Sequence, residues 1–384
     1  MDTKKEIQKM FLLELLELYK TMPVLWKKIP PNPLTEDIVA ESLSLLCKTG
    51  DGLAHAYVRL DIHEREITDI EILQSFIHLR YVDVSKNALR DISPLSALTH
   101  MLTLKADENL LTTAKLDEMP FLQVASFSHN RITTTEGINH PLLEHLNLNN
   151  NRIKEVTGLD ATKLTRLHTL ELRGNKLEST DGIYLPCIKN LFLAANVIRR
   201  IEGMSRLTGL TTLHLRDNQL ESLEGFSDSQ KLLQYINLRN NLVTSVKEPA
   251  KMKVLPMLRA LVLSGNPCAE QDDYRLETLI GIRTLERLDK DEYTDEERTE
   301  AEEIAEQRRI EEEERAALEL QIMHDLASMP SMGMEEEEYE AYKSSVRSES
   351  TGIRLSNQTD LNEAEAEGAN SEAEESAPLA AEDQ

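Results

Sequence analysis

The segment KTGDGLAHAY, Lys48 to Tyr57, concentrates residue types that could do chemistry: a lysine, a threonine, two glycines and a histidine. Glycines beside a lysine and a hydroxyl can cradle a phosphate, and a histidine can move protons. In a phosphate-binding loop the lysine and hydroxyl follow the last glycine, whereas Lys48 precedes both glycines here. His55 has no nucleophile or carboxylate beside it. The segment therefore predicts a structural turn rather than a catalytic loop.

The other candidates for catalysis are dispersed. His129, His145, His168 and His214 lie far apart and match no metal-binding spacing, and no Gly-x-Ser-x-Gly, Cys-His or phosphate-loop motif is present. We therefore expect no enzymatic activity, no cofactor, no metal site and no small-molecule substrate.

The negative charge is concentrated near the C-terminus. Residues 290–384 hold 8 Lys and Arg against 30 Asp and Glu, a net of −22 out of −25 for the chain. Such a block is typical of a solvated interaction tail, and the nearly neutral remainder has no basic patch. We expect no nucleic-acid partner.

Cysteines and the N-terminus indicate the compartment. Cys47, Cys187 and Cys268 are too few and too widely spaced for a disulfide framework or zinc site, so we expect buried thiols in a reducing compartment. Glu14 and Glu17 interrupt the apolar N-terminal stretch, which argues against a signal peptide, and no run is long enough to span a membrane. We expect a soluble cytoplasmic protein with no membrane partner.

A motif recurs along most of the chain. Its clearest copy, LHTLELRGNKL from Leu167 to Leu177, fits the pattern LxxLxLxxNxL. Eight further segments fit in register, and their asparagines follow one another at intervals of 21 to 25 residues. The nine are Asn87, Asn109, Asn130, Asn151, Asn175, Asn196, Asn218, Asn241 and Asn266.

This motif is that of the leucine-rich repeat family and predicts an α/β solenoid. We expect a horseshoe of about ten repeats whose short strands form a parallel sheet on the concave face. Apolar residues eight, five and three positions before each asparagine (n) and two after it, at n−8, n−5, n−3 and n+2, should point inward. The asparagines should be structural. A second apolar series, such as Ile92, Leu95 and Leu98, predicts a short helical or 3₁₀ turn on the convex face.

The repeats need a cap at each end. Thr35 starts a predicted capping helix that includes Leu43, Leu45 and Leu46, after which Gly50 and Gly52 permit the turn into a degenerate first repeat. At the other end, residues 274–289 resemble the C-terminal cap of cytoplasmic leucine-rich repeat proteins. The side chains expected to cover the last repeat are Tyr274, Leu276, Leu279, Leu285 and Leu288.

These signals divide the chain into six parts. Beyond the cap, strong helix formers with sparse apolar residues predict a projecting helix without a firm coiled-coil seam, and the acidic end has a disordered composition. The roles of the two end segments and self-association stay open. The parts are 1–32 (amphipathic helix and Pro-rich linker), 33–56 (N-terminal cap), 57–268 (repeats), 269–289 (C-terminal cap), 290–329 (acidic helix) and 330–384 (disordered acidic tail).

Solenoids of this kind usually bind proteins on the concave face. Arg173, Arg216 and Arg239 share the n−2 position, and with exposed aromatic residues they would suit an acidic protein segment. Alternatively, these positions are polar only because they face solvent. The predicted protein-binding residues are Tyr81, Lys105, His145, Asn147, Arg173, Phe192, His214, Arg216, Tyr235 and Arg239.

The flanks resemble a narrower group. PLTEDIVAESLSLLCKTGDGLAHAYVRL and LRYVDVSKNALRDISPL, with several repeats, resemble leucine-rich repeat proteins of the axonemal radial spoke from about Pro33 to Glu297. The resemblance implies a structural subunit of the spoke head region, bound to other radial spoke subunits in the axoneme of motile cilia and sperm flagella. Two alternatives stay open: a soluble leucine-rich repeat regulator of a protein phosphatase, or an acidic-tailed nuclear histone-binding protein.

Overall fold

The computed structural model describes residues 30–50 and 52–328, with side chains up to residue 324. The chain divides into two compact units, Met1–Ile304 and Ala305–Gln384. The predictions for the N-terminal amphipathic helix and the disordered acidic tail lie outside the described residues. No helix in the described part of the chain is both long and apolar enough to cross a membrane.

The first unit contains a 13-stranded sheet whose strands follow chain order. Strands β2 to β12 pair in parallel, whereas β1–β2 and β12–β13 are antiparallel pairs at the two ends. The strands are β1 (Leu43–Lys48), β2 (His55–Asp61), β3 (Tyr81–Asp83), β4 (Thr103–Lys105), β5 (Val124–Ser126), β6 (His145–Asn147), β7 (Thr169–Glu171), β8 (Asn190–Phe192), β9 (Thr212–His214), β10 (Tyr235–Asn237), β11 (Ala260–Val262), β12 (Arg287–Leu288) and β13 (Asp291–Glu292).

Helices are short, apart from the last one. The 3₁₀ turn Ser93–Ala97 buries Leu95, with Ile92 and Leu98 buried beside it, as the second apolar series predicts. The α-helices are α1 (Glu36–Ser42), α2 (Tyr274–Gly281) and α3 (Asp295–Ser328); the 3₁₀ turns are Glu71–Ser75, Ser93–Ala97, Met204–Arg206, Glu248–Val254 and Pro267–Glu270.

The predicted solenoid is confirmed. Strands β3 to β11 belong to the nine asparagine repeats, and β2 belongs to the degenerate repeat before them. In the Asn87 repeat the inward positions Leu79, Val82, Val84 and Leu89 are at most 2% exposed. Each such side chain contributes about 1.5–3 kcal/mol on burial, so leucines at a fixed period can form a continuous core with few aromatic residues.

The repeat asparagines are structural, as predicted. The side-chain amide of Asn175 donates to the carbonyls of Leu148, at 2.9 Å, and Leu172, at 3.1 Å, and its oxygen accepts from the N–H of Ile153 at 3.1 Å. These groups belong to two successive turns of the solenoid. The buried Ile153 N–H gains its acceptor in this way, and each carbonyl also accepts from the asparagine of a neighbouring repeat, Asn151 for Leu148 and Asn196 for Leu172. The equivalent bonds recur at Asn109, Asn130, Asn151, Asn196, Asn218 and Asn241.

The predicted extent of the capping helix is wrong. Thr35 does accept from the N–H of Ile38, but α1 ends at Ser42 and the chain continues as β1, antiparallel to β2. Leu45 and Leu46 are 50% and 56% exposed. Without β1, β2 would be the edge strand of the sheet. Its unpaired backbone groups gain hydrogen bonds from the added strand, and this outweighs helix propensity.

The KTGDGLAHAY segment is therefore a hairpin turn. Its backbone closes through Thr49 N–H to the Ala54 carbonyl, at 2.9 Å, and Gly52 N–H to the Thr49 carbonyl, at 2.8 Å. Gly52 has a φ of +71°, whereas Gly50 needs no left-handed conformation. The structural interpretation holds, but the turn connects two strands rather than a helix and a strand.

The C-terminal end is covered as expected, with one exception. Tyr274, Leu279, Leu285 and Leu288 are buried, whereas Leu276 is half-buried. Helix α3 begins with a reciprocal pair: Thr294 N–H donates to the Glu297 carboxylate at 2.7 Å, and Glu297 N–H donates to the Thr294 hydroxyl at 3.2 Å. This arrangement is a capping box, which satisfies free donors at the helix start.

The thiols are less buried than predicted. Cys268 is buried, and burial raises the pKa of its thiol to about 11, so it stays protonated near neutral pH. Cys47 and Cys187 are half-buried. Cys47 lies on β1, most of whose side chains face solvent, because that strand is an added edge rather than a turn of the solenoid.

Candidate protein-binding surface

The predicted binding residues all lie on one side of the sheet. They are exposed or half-buried, while the residues that alternate with them along each strand are buried. We call this side, formed by positions n−6, n−4 and n−2, the sheet face. Tyr81 lies in β3, Lys105 in β4, His145 and Asn147 in β6, Phe192 in β8, His214 in β9 and Tyr235 in β10, and Arg173, Arg216 and Arg239 lie two residues beyond β7, β9 and β10.

Four of these residues form a continuous stack. The guanidinium carbon of Arg173 lies 4.3 Å from the ring centroid of Phe192, whose ring stacks on that of His214 at 4.8 Å and 27°. The His214 ring contacts Tyr235 at 5.2 Å and 46°. We call Arg173, Phe192, His214 and Tyr235 the aromatic row. It spans four consecutive repeats.

The strand register produces the contact at the centre of the aromatic row. Phe192 pairs with His214 across β8 and β9, so the two side chains leave the sheet from adjacent positions about 4.8 Å apart. Each aromatic contact of this kind contributes about 0.5–1.5 kcal/mol beyond area burial. The backbone ladder therefore holds this pair in place, and Arg173 and Tyr235 extend the row on its two sides.

His214 is uncharged near neutral pH. Burial lowers the pKa of its imidazole below the ordinary value, and the positive charges of Arg173 and Arg216 lower it further. A neutral ring offers an uncharged π face between two guanidinium groups. The row thus combines one cationic end, Arg173, with three uncharged rings.

The three predicted arginines differ in their partners. Arg216 pairs with Asp217 at 2.8 Å, and Asn240 donates to the same aspartate at 2.7 Å. Arg173 and Arg239 are exposed, and neither has a carboxylate within ion-pair distance in the described part of the chain. Between Arg173 and Arg216 the n−2 position is held by Ala194, whose side chain is buried.

A cluster of polar side chains beside the row holds the backbone of Arg173 in position. His145 lies 3.0 Å from one carboxylate oxygen of Glu171, and the Asn149 amide donates to the other at 2.6 Å. The hydrogen bond with His145 lowers the pKa of Glu171, which is therefore ionised and already occupied. Asn149 also accepts from the N–H of Arg173 at 2.7 Å.

Two other predicted residues, Tyr81 and Lys105, lie apart from this group. Tyr81 packs under the guanidinium of Arg59 at 5.4 Å, and Lys105 lies 3.9 Å from Asp83. Tyr81 is in β3 and Lys105 in β4, whereas the aromatic row begins after β7. Asn147 lies in β6, where its oxygen accepts from the N–H of Asn149 at 3.0 Å. The structure therefore divides the predicted surface into two groups.

Sequence reasoning missed Asp107. Its carboxylate accepts from the hydroxyl of Ser126 at 2.6 Å and from both the N–H and hydroxyl of Ser128, at 2.6 and 2.8 Å. The repeat pattern could have identified this residue, because Asp107 occupies the n−2 position that holds arginines in later repeats. Among the described residues, no group of three His, Cys, Asp or Glu side chains could hold a metal ion.

The fold and this surface define a leucine-rich repeat protein, a class that typically serves as protein-interaction scaffolds. Residues 165–317 match the model of the family described as leucine-rich repeat, and residues 120–161 match that of leucine-rich repeats in two copies.

Sequence relatives identify the family more closely. The chain is 59% identical over 270 residues to leucine-rich repeat-containing protein 23 of Bos taurus, covering 70% of this chain and 79% of the relative. It is 58% identical over 271 residues to the Homo sapiens protein of the same name, covering 71% and 79%. The chain belongs to the leucine-rich repeat-containing protein 23 family. A solved leucine-rich repeat protein of Leptospira interrogans is 23% identical, with a TM-score of 0.49 and 60% of each chain covered.

Proposed function

We propose that this chain is a non-enzymatic structural subunit of the radial spoke head region, in the axoneme of motile cilia and sperm flagella. There it would hold other radial spoke subunits and so support motility. The resemblance of Pro33 to Glu297 to radial spoke proteins supports this proposal, as does membership of a family of binding scaffolds.

One structural observation carries the scaffold role. The aromatic row presents a cation, two aromatic rings and an imidazole on four consecutive repeats, above a core that is almost completely buried. Aromatic and arginine side chains are the types most often found as interface hot spots. A surface held by a backbone ladder can bind a partner with little loss of its own conformational freedom.

Location is the first test. An endogenous tag in cells with motile cilia should give signal along the axoneme that survives detergent extraction. A diffuse cytoplasmic or nuclear signal would overturn the radial spoke proposal. A stoichiometric phosphatase complex would favour a soluble regulator, and salt-sensitive histone binding lost on deletion after Met334 would favour a nuclear role.

A surface variant tests the binding face. Replacing Arg173, Arg216, Tyr235 and Arg239 together by alanine should reduce incorporation into axonemes severalfold and lower the thermal unfolding midpoint only slightly, because the three arginines are exposed and Tyr235 loses one ring contact. The matched control replaces exposed Arg166, Arg206 and Tyr184, which lie outside the strands, and should incorporate normally. Equal incorporation of both variants would move the interface off the sheet face.

A further inference from the structure

We infer that the aromatic row and Arg239 bind an extended acidic peptide in which one aromatic side chain lies midway between two carboxylates four residues apart. The inference rests on the proposed scaffold function and specifies its partner by chemistry. It concerns β7 to β10 and the residues directly after them.

The carboxylates of the peptide are matched to Arg173 and Arg239. Both guanidinium groups are exposed, and in the described part of the chain neither has a carboxylate partner. Two acids in the same repeats as the row are already engaged: Glu171 by His145 and Asn149, and Asp217 by Arg216 and Asn240. The positive charge at the two ends of the surface is therefore available to an incoming anion.

The aromatic side chain is matched to the middle of the surface. Phe192, His214 and Tyr235 are half-buried and lie side by side, so each still presents part of its ring to solvent. Aromatic pairs favour offset stacking or edge-to-face contact, which a further ring lying over His214 can make. Because the His214 ring is neutral, this contact brings no charge into the centre.

The distance between the arginine positions sets the spacing in the peptide. The backbones at Arg173 and Arg239 are three strand spacings apart, about 14 Å at about 4.8 Å per strand, and the Arg173 guanidinium lies within this span, over Phe192. An extended chain rises about 3.3 Å per residue, so two side chains four residues apart are separated by about 13 Å. The peptide would cross the strands rather than run along them.

The test titrates the full-length chain with blocked peptides by calorimetry. The probe is acetyl-Glu-Gly-Trp-Gly-Glu-amide. Three variants change one property each: Gln for both Glu, Ala for Trp, and the same composition reordered as Glu-Glu-Gly-Trp-Gly. We expect the probe to bind and each variant to bind about fivefold more weakly or worse, since an exposed ion pair or aromatic contact is worth about that factor.

Protein variants locate the site. Arg173→Ala and Arg239→Ala should each weaken binding of the probe about fivefold and reduce its preference over the Gln peptide. Arg166→Ala, which removes an exposed arginine from the loop before β7, should change neither value. Absence of probe binding up to about 1 mM, equal binding of all four peptides, or equal loss in Arg166→Ala would overturn the inference.

The peptide test and the axoneme test fail independently. Axonemal signal without peptide selectivity would overturn the partner class and leave the spoke proposal intact. Peptide selectivity with a diffuse cellular signal would overturn the spoke proposal and leave the partner class intact. A concentration-dependent dimer that dissociates on Arg173→Ala substitution would identify a second copy of this chain as the occupant and would overturn the acidic-peptide inference.

Discussion

The Tyr274 hydroxyl donates to one carboxylate oxygen of Asp289 over 2.8 Å, and the other oxygen accepts from the N–H groups of Leu263 and Ser264. One repeat earlier, the N–H equivalent to that of Leu263 donates to the carbonyl of Val262 on the next strand. The last repeat has no following repeat to supply that carbonyl. Asp289 supplies a side-chain acceptor instead, and Tyr274 holds it in place.

We therefore expect Tyr274→Phe to lower the free energy of unfolding by about 1–2 kcal/mol, because it removes the donor to a partly buried carboxylate. Burial and the nearby Asp289 charge raise the pKa of Tyr274 well above the ordinary range, so the hydroxyl remains a donor at all usual pH values. Denaturant unfolding measures the change. Tyr184→Phe, which removes an exposed hydroxyl bonded to Asp181, is the control and should leave stability nearly unchanged. Similar losses in both variants would contradict the role assigned to Tyr274.

Replacing a repeat asparagine should lower the free energy of unfolding by more than Tyr274→Phe does. Asn175→Ala leaves the buried N–H of Ile153 without its acceptor and removes one of two asparagine donors from each of the Leu148 and Leu172 carbonyls, so we expect a loss of about 2–3 kcal/mol. Asn190→Ala, on the sheet face, removes only a 3.4 Å contact with the Thr169 hydroxyl and should cost less than about 1 kcal/mol. Equilibrium unfolding of both variants tests this difference, and equal values would rule out the asparagine ladder as a main source of stability.

A glycine in the turns outside the sheet should resist substitution. Gly182 has a φ of +82°, and a Cβ there would lie 2.0 Å from the Val156 carbonyl oxygen. Gly52 has a φ of +71° but nothing within 4 Å of its Cβ position. Gly52→Ala should therefore show only the left-handed strain of about 1–2 kcal/mol, and Gly182→Ala should lose at least about 2 kcal/mol more. Denaturant unfolding of the two variants compares them; a smaller loss in Gly182→Ala would mean that the turn relaxes freely.

Acid should destabilise the fold partly through His140. This residue is 1% exposed, its Nδ1 accepts from the N–H of Met119 at 3.2 Å, and burial lowers its pKa from 6.5 to about 4. Between these values the unfolded chain takes up a proton that the folded chain does not. The free energy of unfolding should therefore fall by about 3 kcal/mol as pH drops from 6.5 to 4.

A His140→Gln variant removes this titration. Above pH 6.5 the histidine is neutral in both states, so the difference between wild type and variant at pH 7.5 reports only packing and hydrogen bonding. As pH falls to 4, the wild type should lose about 3 kcal/mol relative to the variant. Unfolding curves of the two proteins that stay parallel over this interval would contradict burial of a neutral histidine.

Periodicity predicted the sheet, the core and the asparagine ladder because each is set by a position that repeats along the chain. Phe192 and His214 share the n−4 position, so their proximity also follows from the repeat. Tyr235 belongs to the n−6 position, and its contact with His214 depends on side-chain direction, which spacing does not specify. The same limit applies to Arg173, whose stacking on Phe192 requires a particular rotamer.

The N-terminal end could not be predicted in the same way. Residues Leu43 to Lys48 lie outside the repeats, and their apolar residues fit a helix as well as a strand. Pairing with β2 makes this segment a strand, because β2 offers backbone groups for hydrogen bonding. This information resides in the assembled sheet and not in the local segment.

The antiparallel pairs at the two ends of the sheet limit the solenoid to the repeats that lie between them. Because β1 and β13 reverse direction, the parallel stack is closed at both ends, and its extent depends on the number of repeats between them. Adding or removing one whole repeat inside would shift everything beyond it by one strand spacing, about 4.8 Å, and preserve which residues face outward. Two partners bound at different points on the sheet would thus be held at a separation that changes only in such steps. The repeat number acts as a molecular ruler.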